Sequence, residues 1–227
     1  MHCFHLTMNS SQQEKKKEFI LHEKYRPTSF KQDFGRLLII LIHFYYFTWI
    51  VHTWGVSVKL VLFLTILSFF TNLVYYISVL GNSIIHSVNE GQLIRQCVIN
   101  TIFRVGFVVS NVVIILYWGI YLVDPLLLGD QELEFHFDIF LHGGNLLFLV
   151  IDKIAIDREH RYEKRINSKV LFWIALCYFV YIYSVYLATG LAIYPLLAKL
   201  NVIGLFCLFI AGYTLFLAGN VIYKLII

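Results

Sequence analysis

Six long apolar stretches dominate the sequence and restrict what the chain can fold into. They cover residues about 37–53, 58–80, 100–123, 136–154, 170–191 and 203–223, and each is close to the roughly 20 residues that a helix needs to cross a bilayer. Of the 227 residues, 59% are hydrophobic and 14% are charged, an apolar share too large for one soluble core. The stretches do not alternate as membrane β-strands do. The sequence therefore predicts an all-α integral membrane protein, a six-transmembrane-helix bundle over residues 37–227 preceded by a basic tail over residues 1–36.

The distribution of Lys and Arg predicts the orientation of this bundle. If all six stretches cross, 16 of the 18 basic residues fall on the side of the tail, and only Lys59 and Lys199 fall on the other. The loop between the third and fourth stretches carries acidic residues and neither Lys nor Arg. Because basic residues are retained in cytoplasmic loops, we expect both termini to be cytoplasmic. The same rule accounts for the net charge of +4, so nucleic acid is not an expected partner.

Polar side chains at membrane depth are the candidate functional residues, because such groups are costly in hydrocarbon. Thr65 is predicted about eight residues, or 12 Å, below the outer face, and His142 about seven residues, or 10 Å, below it. On the fourth stretch, Asp138, His142 and Asn145 have the spacing i, i+4, i+7, which places them on one face of an α-helix. Asp152 is expected at the inner rim, in contact with solvent.

Two interpretations of these residues remain open on the sequence alone. A hydroxyl and an imidazole at matched depth can form a nucleophile–base pair, with Asp138 orienting the imidazole and Asn145 binding substrate or an oxyanion. Alternatively, Thr65 bonds back to its own helix and His142 forms an interhelical hydrogen bond. No histidine cluster or Cys/His spacing suggests a metal site, and no cofactor is expected.

Several short segments resemble one known family, the androgen-induced and androgen-dependent TFPI-regulating proteins, which are multipass membrane threonine hydrolases. The segment Phe63-Leu64-Thr65, with Tyr75-Tyr76 after it, is similar to the region around the family's nucleophilic threonine. His142 precedes the acidic Asp152 by the ten residues that the family shows. The segments 117–121 and 189–195 resemble the end of the family's third helix and the turn after its fifth. The resemblance extends over about residues 54–223.

The resemblance implies a function for the predicted pair. Thr65 would be the nucleophile and His142 the base of an intramembrane lipid ester hydrolase acting on fatty acid esters of hydroxy fatty acids, amphiphilic substrates that reach the site from the surrounding membrane lipids. We expect the endoplasmic reticulum as its membrane. The alternative is a non-catalytic multipass protein, a lipid carrier or a scaffold, in which Thr65 and His142 are interhelical hydrogen-bonding residues. A transporter or channel is less well supported, because neither an internal repeat nor a continuous polar stripe is visible.

Overall fold

The fold is known from a computed structural model that describes residues 29–55, 63–84, 90–128, 134–156, 167–190, 194 and 198–226. All regular structure in these ranges is helical, which confirms the prediction of an all-α chain. The six long helical segments are α1 (Phe30–Trp54), α2 (Leu64–Ile84), α3 (Glu90–Val123), α4 (residues 135–156), α5 (Ser168–Thr189) and α6 (Val202–Ile226), and a short 3-10 helix, Pro125–Leu128, follows α3.

Polar residues define where three of these helices begin. Ser29 and Gln32 form a capping box at the start of α1, with Ser29 N donating to Gln32 Oε1 at 2.7 Å. Asn167 and Asn201 cap α5 and α6 through bonds from Lys169 N (2.9 Å) and Gly204 N (2.8 Å). These caps satisfy amide groups that an isolated helix end leaves free. Because the capping box lies at residue 29, α1 starts earlier than the predicted residue 37.

Five of the helices are long and apolar enough to cross a membrane, and α4 is not among them. Within α4, two π-helical turns, Phe140–Gly144 and Asp152–Ile156, flank the α-helical piece Asn145–Ile151. A π turn has one residue more than an α-helical turn, and such turns often occur at functional sites.

Despite these turns, α4 lies alongside α1 and runs antiparallel to it. Near its start, Phe137 packs on Trp49 of α1 with ring centroids 3.8 Å apart. Near its end, Asp152 bonds to Arg36, a residue close to the beginning of α1. The contacts on α1 are thus 13 residues apart, or about 20 Å along the helix axis. The fourth segment therefore extends along most of the bundle.

Two buried clusters hold the helices together. The first joins α1, α2 and α4 to the first half of α3, around Phe69, Tyr76, Phe103 and Phe137. The second joins the start of α2 and the second half of α3 to α5 and α6, around Val108, Leu171 and Phe216. Outside these clusters the helices expose large apolar side chains, which a bilayer solvates and water does not.

Candidate functional site

Thr65 is the second residue of α2 and lies at the wall of a partly open cavity between helices. The Phe63 carbonyl accepts the amides of Ile66 (3.0 Å) and Leu67 (3.1 Å), which starts the helix. Thr65 therefore lies in the first helical turn of α2, where the helix dipole favours negative charge. Residues 58–62, which the predicted depth of Thr65 counted as part of the helix, lie outside the described residues.

The Thr65 hydroxyl makes no hydrogen bond to any described residue. Thr71, Thr189 and Thr214 instead donate to the carbonyl four residues earlier, at 2.7–2.8 Å. For Thr65 that carbonyl belongs to residue 61, which lies outside the described ranges. Within those ranges, Thr65 is thus available to a ligand in the cavity.

His142 is held at one ring nitrogen by Asp138. His142 Nδ1 lies 2.9 Å from Asp138 Oδ1 and 3.0 Å from the Asp138 carbonyl oxygen. Both neighbours are hydrogen-bond acceptors, so Nδ1 carries a proton, and in the neutral ring the lone pair belongs to Nε2. Nε2 makes no hydrogen bond to any described residue, and the His142 side chain is only 8% exposed. This is the tautomer that a general base requires.

Tyr117 of α3 connects this pair to the cavity. Its ring stacks on the His142 ring with centroids 3.4 Å apart and planes 8° apart. Its hydroxyl donates to Asp138 Oδ1 at 2.6 Å, and the same residue lines the cavity that Thr65 lines. In the sequence, Tyr117 stands out only as part of the family-like segment 117–121, because nothing in a single sequence indicates that it faces His142.

The cavity lies between the start of α2 and the helices α3, α5 and α6, and has a volume of about 130 Å³. Its wall is formed by apolar residues of α3, α5 and α6 and by five described residues that carry a hydroxyl group, Thr65, Tyr117, Tyr178, Tyr194 and Tyr213. The cavity is thus an apolar space with a group of hydroxyls at the α2 end.

Tyr194, in the connection between α5 and α6, ties that connection to the first residue of α2. Leu64 N donates to the Tyr194 hydroxyl at 3.2 Å, and the hydroxyls of Tyr194 and Tyr178 lie 3.2 Å apart. Burial raises the pKa of Tyr194, so its hydroxyl stays protonated at neutral pH. These bonds fix the residue next to Thr65. In the sequence, Tyr194 stands out only as part of the turn segment 189–195.

Asn145 is directed away from His142, towards α1. Asn145 Oδ1 lies 3.1 Å from His43 Nε2, and its Nδ2 donates to the Leu141 carbonyl at 3.4 Å. Both Asn145 and His43 are almost completely buried. The π turn at Phe140–Gly144 separates the two residues angularly, so the structure brings Asp138 together with His142 and places Asn145 with His43.

The expectation that Asp152 contacts solvent is wrong. Its carboxylate is completely buried, accepts Arg36 Nε at 2.9 Å on Oδ1 and accepts the Tyr75 hydroxyl at 2.5 Å on Oδ2. Arg36, assigned to the tail by sequence, belongs to α1 and is 1% exposed. The earlier start of α1 brings its guanidinium inside the bundle, where the opposite charges offset each other's loss of hydration.

The described residues contain no group of three or more His, Cys, Asp or Glu side chains arranged to bind a metal ion. The polar groups on the cavity wall are instead hydroxyls, and one of these residues, Tyr117, contacts the imidazole of His142 and the carboxylate of Asp138. This set can supply a nucleophile, a base and a group that orients the base.

Comparison with known proteins identifies the family. A sequence model described as "FAR-17a/AIG1-like protein" matches residues 37–226, and the chain belongs to this family. It is also similar to the androgen-dependent TFPI-regulating protein of Mesocricetus auratus, with 28% identity over 114 residues. That alignment covers 48% of this chain and 48% of the relative, so the chain spans about half the length of the curated relative it matches. No solved structure matches the chain. The resemblance stated from the sequence is thus confirmed.

Proposed function

We propose that this member of the FAR-17a/AIG1-like family is an intramembrane lipid ester hydrolase, with Thr65 as nucleophile and His142 as general base. The observation that carries the proposal is the arrangement at His142. Asp138 holds Nδ1 at 2.9 Å, Nε2 has no described partner, and the stacked Tyr117 belongs to the same cavity wall as Thr65. A buried imidazole fixed in the tautomer of a base, beside a cavity that contains a hydroxyl, fits acyl transfer.

The reaction follows from these groups in two stages. Thr65 Oγ1 attacks the ester carbonyl while His142 Nε2 takes its proton, and the protonated imidazole then gives that proton to the leaving alkoxide. The alcohol departs and an acyl-threonine ester remains. A water molecule attacks this ester with His142 again as base, the acid leaves, and Thr65 recovers its proton.

Asp138 acts on His142 and does not touch the substrate in this scheme. Its carboxylate stabilises the imidazolium that forms in each stage and keeps the proton of the neutral ring on Nδ1. The Tyr117 hydroxyl donates to the same Oδ1 at 2.6 Å, which fixes the carboxylate. Asn145, which bonds to His43, has no step in this scheme.

The substrate class follows from the surroundings of the site. The cavity wall is almost entirely apolar and lies between helices suited to a bilayer, so its ligand is an amphiphilic ester that comes from the membrane lipids. Fatty acid esters of hydroxy fatty acids are the members of this class that we propose. All six helical segments, α4 included, cross the membrane, both termini are cytoplasmic, and the membrane is that of the endoplasmic reticulum. The antiparallel course of α4 along α1 supports the sixth crossing.

The rival function is a carrier or scaffold, which would use the same cavity without chemistry. The two differ in their dependence on Thr65. We would purify the full chain into lipid nanodiscs and measure fatty acid release from an ester of a hydroxy fatty acid. Thr65→Ala and His142→Ala should each lower kcat by about 10³-fold, because each removes one partner of the proton transfer.

The matched control is Thr71→Ala, six residues further along α2, where the hydroxyl bonds to the Leu67 carbonyl. It should leave kcat within about twofold, since such a bond contributes little. A fluorophosphonate probe should label Thr65 in the native chain and not in either variant. Hydrolysis or labelling that persists in Thr65→Ala and His142→Ala would exclude the mechanism and leave the carrier as the better interpretation.

A further inference from the structure

The cavity extends away from Thr65 into the part of the bundle formed by α3, α5 and α6. Its wall on α6 runs from Leu208 to Phe216, which corresponds to about 12 Å along the helix axis. On α3 the wall runs from Val112 to Ile120, and on α5 from Ala175 to Ile182. The space is therefore elongated along the bundle, and Thr65 forms part of its wall.

The chemistry of this wall selects one kind of occupant. Beyond the hydroxyls near Thr65, the described wall is built from aliphatic and aromatic side chains and one glycine. It offers neither a charged group nor an amide to a ligand. A hydrocarbon chain fits such a wall, whereas a head group or a sugar would leave its polar atoms without partners.

Gly212 is the residue that keeps this space open on α6. A Cβ built at Gly212 would meet no atom within 4 Å, although the residue lines the cavity. The glycines at close helix contacts behave differently: a Cβ at Gly219 would lie 3.3 Å from the Val108 carbonyl oxygen, and one at Gly106 would overlap Asn72 Oδ1. Gly212 is thus not needed for helix packing, and its missing side chain adds to the cavity.

We propose that the cavity is the binding site for the acyl chain that is transferred to Thr65, and that Gly212 determines how long a chain it accepts. This inference rests on the proposed hydrolase function. In a bilayer the chain gains little by leaving one hydrocarbon environment for another. Selectivity therefore comes from shape, since an acyl chain that fills the cavity makes close contacts and one that is too long does not fit.

The test is a series of esters that differ only in the length of the acyl part, hydrolysed by the native chain and by Gly212→Leu. The leucine fills the cavity beside Gly212, so the ratio of kcat/KM for long to short acyl chains should fall about tenfold or more. Gly119→Leu is the control: Gly119 lies on the exposed side of α3, a Cβ there meets no atom within 4 Å, and it does not line the cavity. Its ratio should equal that of the native chain.

Gly212→Ala adds only a methyl group and is therefore less able to disturb folding than Gly212→Leu. It should lower the same ratio of kcat/KM values, but by less than Gly212→Leu does. If Gly212→Leu loses all activity, the alanine variant decides: an unchanged ratio in Gly212→Ala overturns the proposal. An unchanged ratio in an active Gly212→Leu also overturns it, and neither result affects Thr65 as nucleophile.

A binding experiment separates this proposal from the hydrolase itself. A palmitate analogue with a diazirine near its methyl end is photocrosslinked to Thr65→Ala, which cannot transfer an acyl group. Crosslinks should map to cavity residues such as Val113 and Phe209 and should fall at least fivefold when Gly212→Leu is added. If the crosslinks behave in this way but the native chain hydrolyses no ester, the hydrolase function is rejected and the acyl-chain site is retained. Crosslinks confined to lipid-facing residues such as Trp173, or unchanged by Gly212→Leu, would reject the acyl site.

Discussion

The two sides of this bundle are built from the same kind of helix but differ in what they bury. On one side, α1 and α4 pack with α2 around buried polar pairs, Arg36 with Asp152 and His43 with Asn145. On the other side, α5 and α6 bury a much smaller share of their residues than α2 and α3 do, and they enclose an apolar cavity with α3. Helix α3 contributes to both sides.

The difference indicates that one side positions the polar site residues and the other accommodates an apolar ligand. Polar pairs in an apolar interior have strong geometric requirements and few alternatives, so the first side can hold His142 in one orientation. Apolar contacts have weak directional requirements, so the second side can admit chains of different shape. Thr65 and Tyr117 lie where the two sides meet. Substitutions on each side can therefore test this division.

Arg36→Met should destabilise the first side more than any surface change. It leaves the Asp152 carboxylate buried without its cation, which typically costs about 3–5 kcal/mol. The free energy of unfolding, measured in mixed micelles, should fall by about this amount. Lys31→Met, an exposed change on the same helix, should alter it by less than about 0.5 kcal/mol.

A second change separates lost charge pairing from lost packing. Adding Asp152→Asn to Arg36→Met removes the unpaired charge and retains an acceptor for the Tyr75 hydroxyl, so much of the stability should return. If Arg36→Met is as stable as the native chain, the buried polar pairs do not hold the side formed by α1, α2 and α4 more rigidly than the other side.

Asp138→Asn should lower kcat by about 10²-fold, or about 2.7 kcal/mol, with a much smaller effect on unfolding. The amide can still accept from Tyr117 but no longer stabilises an imidazolium. Asp124→Asn is the matched control, because Asp124 lies at the same end of the bundle and accepts only from Leu126 N among the described residues. Equal losses in the two variants would show that position, not the bond to His142, explains the effect.

Tyr194→Phe should have the smallest effect, a fall in kcat of about fivefold, which corresponds to the loss of one hydrogen bond. The change removes the acceptor of the Leu64 amide beside Thr65 and leaves the ring in place. Tyr181→Phe, on the exposed side of α5, is the control and should leave kcat unchanged. Equal kcat values for both variants and the native chain would mean that the α5–α6 connection does not position Thr65.

Hydropathy sufficed to predict that the chain is helical, because the length of an apolar run is a local property of the sequence. The orientation, which rests on charge, stays a prediction. The spacing of Asp138 and His142 likewise predicted a contact that the structure contains. What the sequence could not supply were the partners on other helices. Tyr117, Tyr194 and Arg36 are an aromatic, a turn residue and a basic residue of ordinary appearance, and their roles depend on which helix face meets which.

The errors have local physical causes. Asp152 was expected in solvent because Lys153 follows it, whereas the deciding partner lies 116 positions away in Arg36. Asn145 was expected to share a face with His142 because 3.6 residues per turn was assumed throughout α4. The π turn at Phe140–Gly144 changes that period locally, and no simple rule of composition predicts such a turn.

That π turn has a consequence for how related sequences should be compared. It accommodates one residue more than a regular helix of the same height, so a relative in which this turn is α-helical would lack one residue between positions 139 and 145. A single-residue gap there would then be structurally meaningful. Closing it by sliding the alignment would match His142 with a neighbour of the true equivalent and conceal the agreement of the two sites.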